Sequence, residues 1–141
     1  MNMRVKELMT SNICSVRPET SVREIARQMR KIDIGAIPVC NDKGELLGMI
    51  TDRDIVLRCI AAEHPKYTAA EIMSENIVSA PEDMNIHDAA LLLSHHQIRR
   101  LPITSGGRLI GMLSTADIAR RPIMADEAGD ILCAVSKPAL S

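Results

Sequence analysis

Gly48-Met49-Ile50-Thr51-Asp52-Arg53-Asp54-Ile55 returns as Gly111-Met112-Leu113-Ser114-Thr115-Ala116-Asp117-Ile118. The correspondence extends outward from these two strings. Ile37-Pro38-Val39 answers Leu101-Pro102-Ile103, Pro18-Glu19 answers Pro81-Glu82, and Glu7-Leu8-Met9 answers Glu71-Ile72-Met73. The offset stays at 63 or 64 residues, so residues 5–60 lie over residues 69–120. A unit this small buries its apolar faces poorly by itself. Two copies are therefore expected to pack on each other about a pseudo-two-fold axis, with function in the clefts between them.

Each copy reads as β-α-β-β-α, which places the chain in the α+β class. In the first, residues 5–9 suggest a helical turn and residues 13–16 a β-branched strand. Ser21-Val22-Arg23-Glu24 is a capping box opening a helix with the stripe Val22, Ile25, Ala26, Met29 and Ile32. Strands follow at residues 36–40 and 46–50, turning at Asn41-Asp42-Lys43-Gly44, and then a helix from Thr51 to about Ala61. In the second copy, Thr68-Ala69-Ala70-Glu71 is a capping box and residues 77–80 a strand. A helix from Ile86 to His96 should turn Ile86, Ala89, Ala90 and Leu93 inward. Strands at 101–104 and 109–113 turn at Ser105-Gly106-Gly107-Arg108, and a last helix opens at Ser114. The expected divisions are a first repeat at 1–62, a linker at 63–68, a second repeat at 69–122 and a tail at 123–141. The tail reads as a further helix with a frayed end.

Composition narrows the function. The 141 residues are 46% hydrophobic and 25% charged, with net charge −1, so no broad basic field exists to hold a nucleic acid. No apolar run approaches the roughly 20 residues of a membrane span, and MNMRVKELMT lacks an apolar signal core. A cytoplasmic protein with neither nucleic-acid nor membrane partner is expected. Tyr67 is the only aromatic residue and nine Met residues help fill the core, so base-stacking platforms are excluded. Cys14, Cys40, Cys59 and Cys133 form no CxxC pair and read as free, mostly buried thiols. His95 and His96 are adjacent on a helix and have no carboxylate or Cys at ligand spacing, so no metal is expected. No nucleophile elbow or cysteine signature points to catalysis.

Two repeated features could carry chemistry. The first is Gly-x-x-[Thr/Ser]-x-x-Asp at a strand-to-helix junction. Thr51 and Ser114 would be N-caps, offering a hydroxyl and free N–H groups to an anion. Asp54 and Asp117 repel phosphate but accept a pair of sugar hydroxyls, so a ribose phosphate suits the motif. The same spacing is also a plain capping box. The glycine three residues ahead of each hydroxyl, and the doubling, argue for a ligand. The second feature is the apolar-Pro-apolar strand start. Its proline removes a ladder N–H and is expected to keep an edge open to a flat heterocycle.

In this order and doubling, the motifs resemble a tandem of cystathionine-β-synthase (CBS) domains, a Bateman module, of the small stand-alone bacterial type. The resemblance covers roughly residues 3–120. It implies regulatory binding of an adenosyl compound: AMP, ADP, ATP, S-adenosylmethionine or reduced nicotinamide dinucleotide. It also implies clefts built across the pair. One cleft would join Thr51, Arg53 and Asp54 with Ile77, Arg99, Arg100, Leu101 and Pro102. The other would join Ser114 and Asp117 with Ile13, Ala36, Ile37 and Pro38. Arg53, Arg99 and Arg100 stand where the other cleft has Ala116, Gly35 and Ala36, so phosphate should prefer the first. With no Phe or Trp, Ile77, Leu101 and Pro102 are expected to wall the base.

The resulting expectation is a non-enzymatic module, without a cofactor, that binds AMP, ADP or ATP as a regulatory ligand. It should form a homodimer, because paired units expose apolar helix faces, and signal by shape change to a separate effector protein. The alternatives are an S-adenosylmethionine- or dinucleotide-binding module and a ligand-free interaction module. A small nucleotide hydrolase ranks last, for want of a base beside the phosphates.

Overall fold

The computed structural model describes residues 3–120. The expected tail at 123–141, with Cys133, lies outside them. The chain forms two compact units, and their borders are not those of the sequence repeats. One unit is Cys14–Ile77; the other joins residues 3–13 to residues 78–120. Each repeat thus gives its leading segment to the other repeat's unit.

In the unit Cys14–Ile77, α1 (Val22–Ile32) starts at Ser21, whose hydroxyl accepts the Glu24 N–H at 3.2 Å. It ends at Asp33, which is left-handed at φ 60°. Val22, Ile25 and Met29 are buried, whereas Ala26 and Ile32 are exposed. The inward stripe is narrower than the pattern predicts: Ala26 lies a further 100° round the helix from Ile25, and Ile32 falls in the last turn. β1 (Ala36–Cys40) and β2 (Leu46–Thr51) form an antiparallel hairpin, with Gly44 supplying a φ of 80° in its turn. The strand predicted at 13–16 is reduced to one parallel bridge, Val16 to Val39.

The predicted helix after Thr51 is broken in type. A single turn, α2 (Asp52–Asp54), passes into a π-helical segment, Ile55–Ile60. There the Ala61 N–H reaches back five residues to the Val56 carbonyl at 2.8 Å. The exchanged helix α3 (Ala69–Ile72) then packs on β2 and the π segment. Thr68 does not cap it as predicted. Its hydroxyl instead donates to the Glu71 carboxylate at 2.7 Å, which holds that carboxyl below its ordinary range. The core of this unit gathers Val16, Val22, Ile25, Ile37, Val39, Ile50, Ala69 and Ile72.

The other unit has a three-stranded sheet, ordered β3 (Ala80–Pro81), β4 (Arg100–Ser105), β5 (Arg108–Ser114). β3 runs parallel to β4, and β4 and β5 are an antiparallel hairpin. Gly106 and Gly107 have φ of 59° and 83°, the left-handed pair a two-residue turn requires. α4 (Ile86–His95) buries Ile86, Ala89, Ala90 and Leu93, as its spacing predicts. α5 (Thr115–Ala119) follows β5 directly. The exchanged residues enter as a 3₁₀ turn, Val5–Glu7, and Val5 lies fully buried with Leu93, Leu101, Ile103, Leu113 and Ile118. Each such buried Ile or Leu contributes about 1.5–3 kcal/mol. No helix among the described residues is long and apolar enough to cross a membrane.

Both exchanges use the same joint. Met49 and Ser74 trade backbone hydrogen bonds at 3.0 and 2.9 Å, and Met112 and Thr10 trade them at 2.9 Å each. Beside each joint lies one of the repeated glycines. A Cβ on Gly48 would stand 2.7 Å from Met73 Sδ and 2.8 Å from the Ser74 carbonyl oxygen; one on Gly111 would collide with Met9. These glycines therefore serve close backbone approach. Their place three residues ahead of the hydroxyl, read above as pointing to a ligand, has a packing cause.

Gly48→Ala should accordingly destabilise the protein by about 1–3 kcal/mol, because Met73 can move but the Ser74 carbonyl cannot without breaking the joint. Urea unfolding of the two proteins measures it. Equal midpoints would show that the segment does not lie this close.

Candidate functional site

Thr51 ends β2 in extended conformation, at φ −111° and ψ 163°, and the next three residues turn into α2. Its hydroxyl accepts the Asp54 N–H at 3.2 Å, and Asp54 Oδ2 accepts the Thr51 N–H at 2.8 Å. Ser114 and Asp117 repeat this box at 3.1 and 2.8 Å. The capping role is therefore real in both copies. It uses one carboxylate oxygen of each aspartate and leaves the other for something else.

At that second oxygen the copies differ. Arg120 Nη1 donates to Asp117 Oδ1 at 3.3 Å, and the Asp117 side chain is 7% exposed. Among the described residues Asp54 Oδ1 has only the Arg58 Nε at 3.9 Å, beyond hydrogen-bond range, and its side chain is 17% exposed. Asp54 thus keeps an acceptor that Asp117 has committed. Asp52 and Thr115, one residue past the hydroxyls, tie in place the residue that precedes the first strand of their hairpin. The Asp52 N–H donates to the Gly35 carbonyl at 2.9 Å. The Thr115 N–H and hydroxyl both reach the Arg99 carbonyl, at 2.9 and 3.3 Å. Sequence reading passed over Asp52 and Thr115; their adjacency to the motif was the available signal.

The exchange of segments sorts the predicted residues. Ile77 belongs to the unit of Thr51, Arg53 and Asp54, as do Ala36, Ile37 and Pro38. Ile13 belongs to the unit of Ser114 and Asp117, as do Arg99, Arg100, Leu101 and Pro102. Arg53, Arg99 and Arg100 are exposed; Ile13, Ile77, Ala36 and Ser114 are half-buried.

Two expectations need correction. Leu101 and Ile37 are each 0% exposed and belong to their units' cores, and Pro38 and Pro102 are also buried. As the chain stands, Leu101 and Pro102 offer no surface to wall a base, because the hydrophobic drive that builds the hairpin also turns these residues inward. Nor is the strand edge wholly open. The Pro38 carbonyl accepts the Val16 N–H at 3.0 Å, and the Cys40 N–H donates to the Val16 carbonyl at 2.9 Å. In the other unit β4 has a strand on each side. The prolines sit where this pairing begins, so the residues before them are paired only with the other strand of their hairpin.

Cys14, Cys40 and Cys59 are free. Cys40 is buried, which raises its thiol pKa; Cys14 and Cys59 are only half-buried, and Cys14 Sγ donates to Gln28 Oε1 at 2.7 Å. The His95 and His96 rings meet edge to face at 4.9 Å. Among the described residues no three His, Cys, Asp or Glu side chains gather as metal ligands do.

Comparison with known proteins gives this geometry a context. The family model "CBS domain" matches twice, at residues 5–60 and 69–124. The CBS domain-containing protein YhcV of Bacillus subtilis (strain 168) is 39% identical over 133 residues, 94% of each chain. Crystal structures similar to the chain include three that hold a metal or an adenosyl ligand. Hypoxic Response Protein I with two coordinated zinc ions has a TM-score of 0.77 and 36% identity, over 84% of this chain and 98% of that one. The CBS domain pair of MJ0100 with 5′-methylthioadenosine and S-adenosyl-L-methionine has a TM-score of 0.75 and 28% identity, over 85% and 95%. CBSX2 in complex with AMP has a TM-score of 0.77 and 25% identity, over 87% and 98%.

Both caps predict a matched cost. Thr51→Ala and Ser114→Ala should each lower stability by about 1 kcal/mol, as loss of an N-cap oxygen does. Urea melts of the two variants check this; an unchanged midpoint in either would mean that its box contributes nothing to folding.

Proposed function

The chain belongs to the CBS domain family as two such domains in tandem, and from that premise we propose that it is a regulatory module binding an adenine nucleotide, AMP, ADP or ATP, at Asp54. The observation that carries this is the uncommitted oxygen of Asp54. A carboxylate with one oxygen locked by its own cap and the other without a hydrogen bond among the described residues is a fixed acceptor for vicinal hydroxyls, as a ribose presents them. The Thr51 backbone fixes its direction before any ligand arrives. Asp117 is the weaker candidate, since Arg120 occupies the corresponding oxygen.

Phosphate is assigned to Arg53, one residue before Asp54 on the same turn. The Arg53 side chain is exposed, which leaves the guanidinium to serve a ligand. The AMP bound by CBSX2 supports this reading. The S-adenosyl-L-methionine bound by MJ0100 supports the competing one, in which the ligand is a cation. The exposed Arg53, next to Asp54, favours the anion. The base is assigned to the half-buried side chain of Ile77. The module acts by binding and releases its ligand unchanged. Its output is a change of shape read by a separate effector protein, with a second copy of the chain as a partner in the assembly and the cytoplasm as its place of action.

AMP and ATP should raise the melting temperature, and S-adenosylmethionine should raise it less. Equal or larger stabilisation by the sulfonium compound would overturn the anion assignment. ATP incubated with the protein should be recovered intact by chromatography. Asp54→Ala should weaken AMP binding about 10- to 100-fold, since hydrogen bonds to a charged group contribute roughly 1.5–3 kcal/mol, and Asp117→Ala should weaken it less. Titration calorimetry on both variants measures the difference. Normal AMP binding by an Asp54→Ala protein that merely unfolds more easily would reduce Asp54 to a cap.

A further inference from the structure

The Asp54 carboxylate has one neighbour that the nucleotide reading leaves unused. Arg58 lies one turn beyond it, on the π-helical segment, with its side chain 49% exposed. Its Nη1 donates to the Ile72 carbonyl at 2.9 Å and approaches the Met73 carbonyl at 3.4 Å. These are carbonyls at the end of α3, which the helix itself leaves without partners. Nε of the same guanidinium stands 3.9 Å from Asp54 Oδ1. One planar group thus spans the ligand-facing oxygen and the segment exchanged from the second repeat.

The contrast with the other copy gives the span its meaning. Arg120 has closed on Asp117 to 3.3 Å and bonds the oxygen. Arg58 is held back from Asp54 by the two carbonyls that it caps. It orients the carboxylate by charge without consuming the acceptor. Resting on the reading of Asp54 as the ribose acceptor, we infer that Arg58 is its positioning residue and links nucleotide binding at Asp54 to the order of residues 69–76. An exposed ion pair at this distance adds little stability, so the arrangement is better suited to direction than to strength. Lysine cannot replace it. An ammonium is a single point, able to cap the carbonyls or face the carboxylate, whereas the guanidinium fork reaches both.

The test is a double-mutant cycle on the full chain, read by titration calorimetry with AMP. Arg58→Met should weaken AMP about tenfold and Arg58→Lys about threefold or more. In an Asp54→Asn background, which keeps the cap acceptor but removes the charge, the same Arg58 changes should alter affinity less than about twofold. A purely structural role for Arg58 predicts equal losses in both backgrounds, and that result would overturn the inference. Hydrogen–deuterium exchange gives a second readout. AMP should slow exchange in residues 69–76 of the wild-type protein and leave it unchanged in Arg58→Lys. Unaltered AMP affinity in the Arg58 variants would overturn the inference while leaving the nucleotide reading intact. Failure of the wild-type protein to bind any adenine nucleotide would remove both.

Discussion

Everything else in the molecule depends on the two-bond joint between an exchanged segment and the second hairpin strand of the unit that receives it. Met49 with Ser74, and Met112 with Thr10, each trade a donor and an acceptor. Such a joint admits no side chain on the strand beside it, which is why the residues before Met49 and Met112 are Gly48 and Gly111. With the joint made, Ala69 and Ile72 enter one core and Val5 enters the other. Without it, each sheet would present an uncovered edge and each core would lack apolar residues that its own repeat does not supply. A repeat of this size could not stand well alone. The exchange makes each unit dependent on the covalent presence of the other.

That exchange was only half legible in the sequence. The duplication, the hairpins and the caps were open to reading because each rests on a local signal. Gly106-Gly107 forces left-handed backbone, Ser21 and Thr51 precede turns that need their oxygens, and Ile86, Ala89, Ala90 and Leu93 recur at helical spacing. The assignment of residues 3–13 and 69–77 to opposite units rests on contacts distant along the chain, and periodicity carries no information about those. The same limit explains the motif glycines. Within the string Gly48 to Asp54, a glycine needed by Ser74 and a glycine needed by a ligand look alike.

Other departures have smaller causes. The π-helical segment Ile55–Ile60 departs from the regular helix that the sequence after Thr51 predicts, and it is tied to a segment distant along the chain. The Arg58 bonds to Ile72 and Met73 hold the one segment but have no described counterpart beyond α5. Leu101 was expected beside a base because it flanks Pro102. It is in the core because β4 runs between β3 and β5 and is buried at every residue from Leu101 to Ile103.

The capping box at Asp54 is a stability device that leaves an acceptor to spare. A capping box uses two atoms of the aspartate, its amide N–H and one carboxylate oxygen. The second oxygen is outside that demand. Folding therefore fixes the direction of an acceptor at no added entropic cost, because the side chain is already ordered by the cap. What the rest of the unit does with that oxygen separates the copies. Arg120 takes it at Asp117, and at Asp54 the carbonyls of Ile72 and Met73 draw Arg58 away. Those carbonyls belong to the exchanged segment. The feature that makes each unit incomplete by itself is thus also the one that leaves Asp54 able to accept a hydroxyl, and it is why the two equivalent aspartates of this duplicated chain need not have equivalent work.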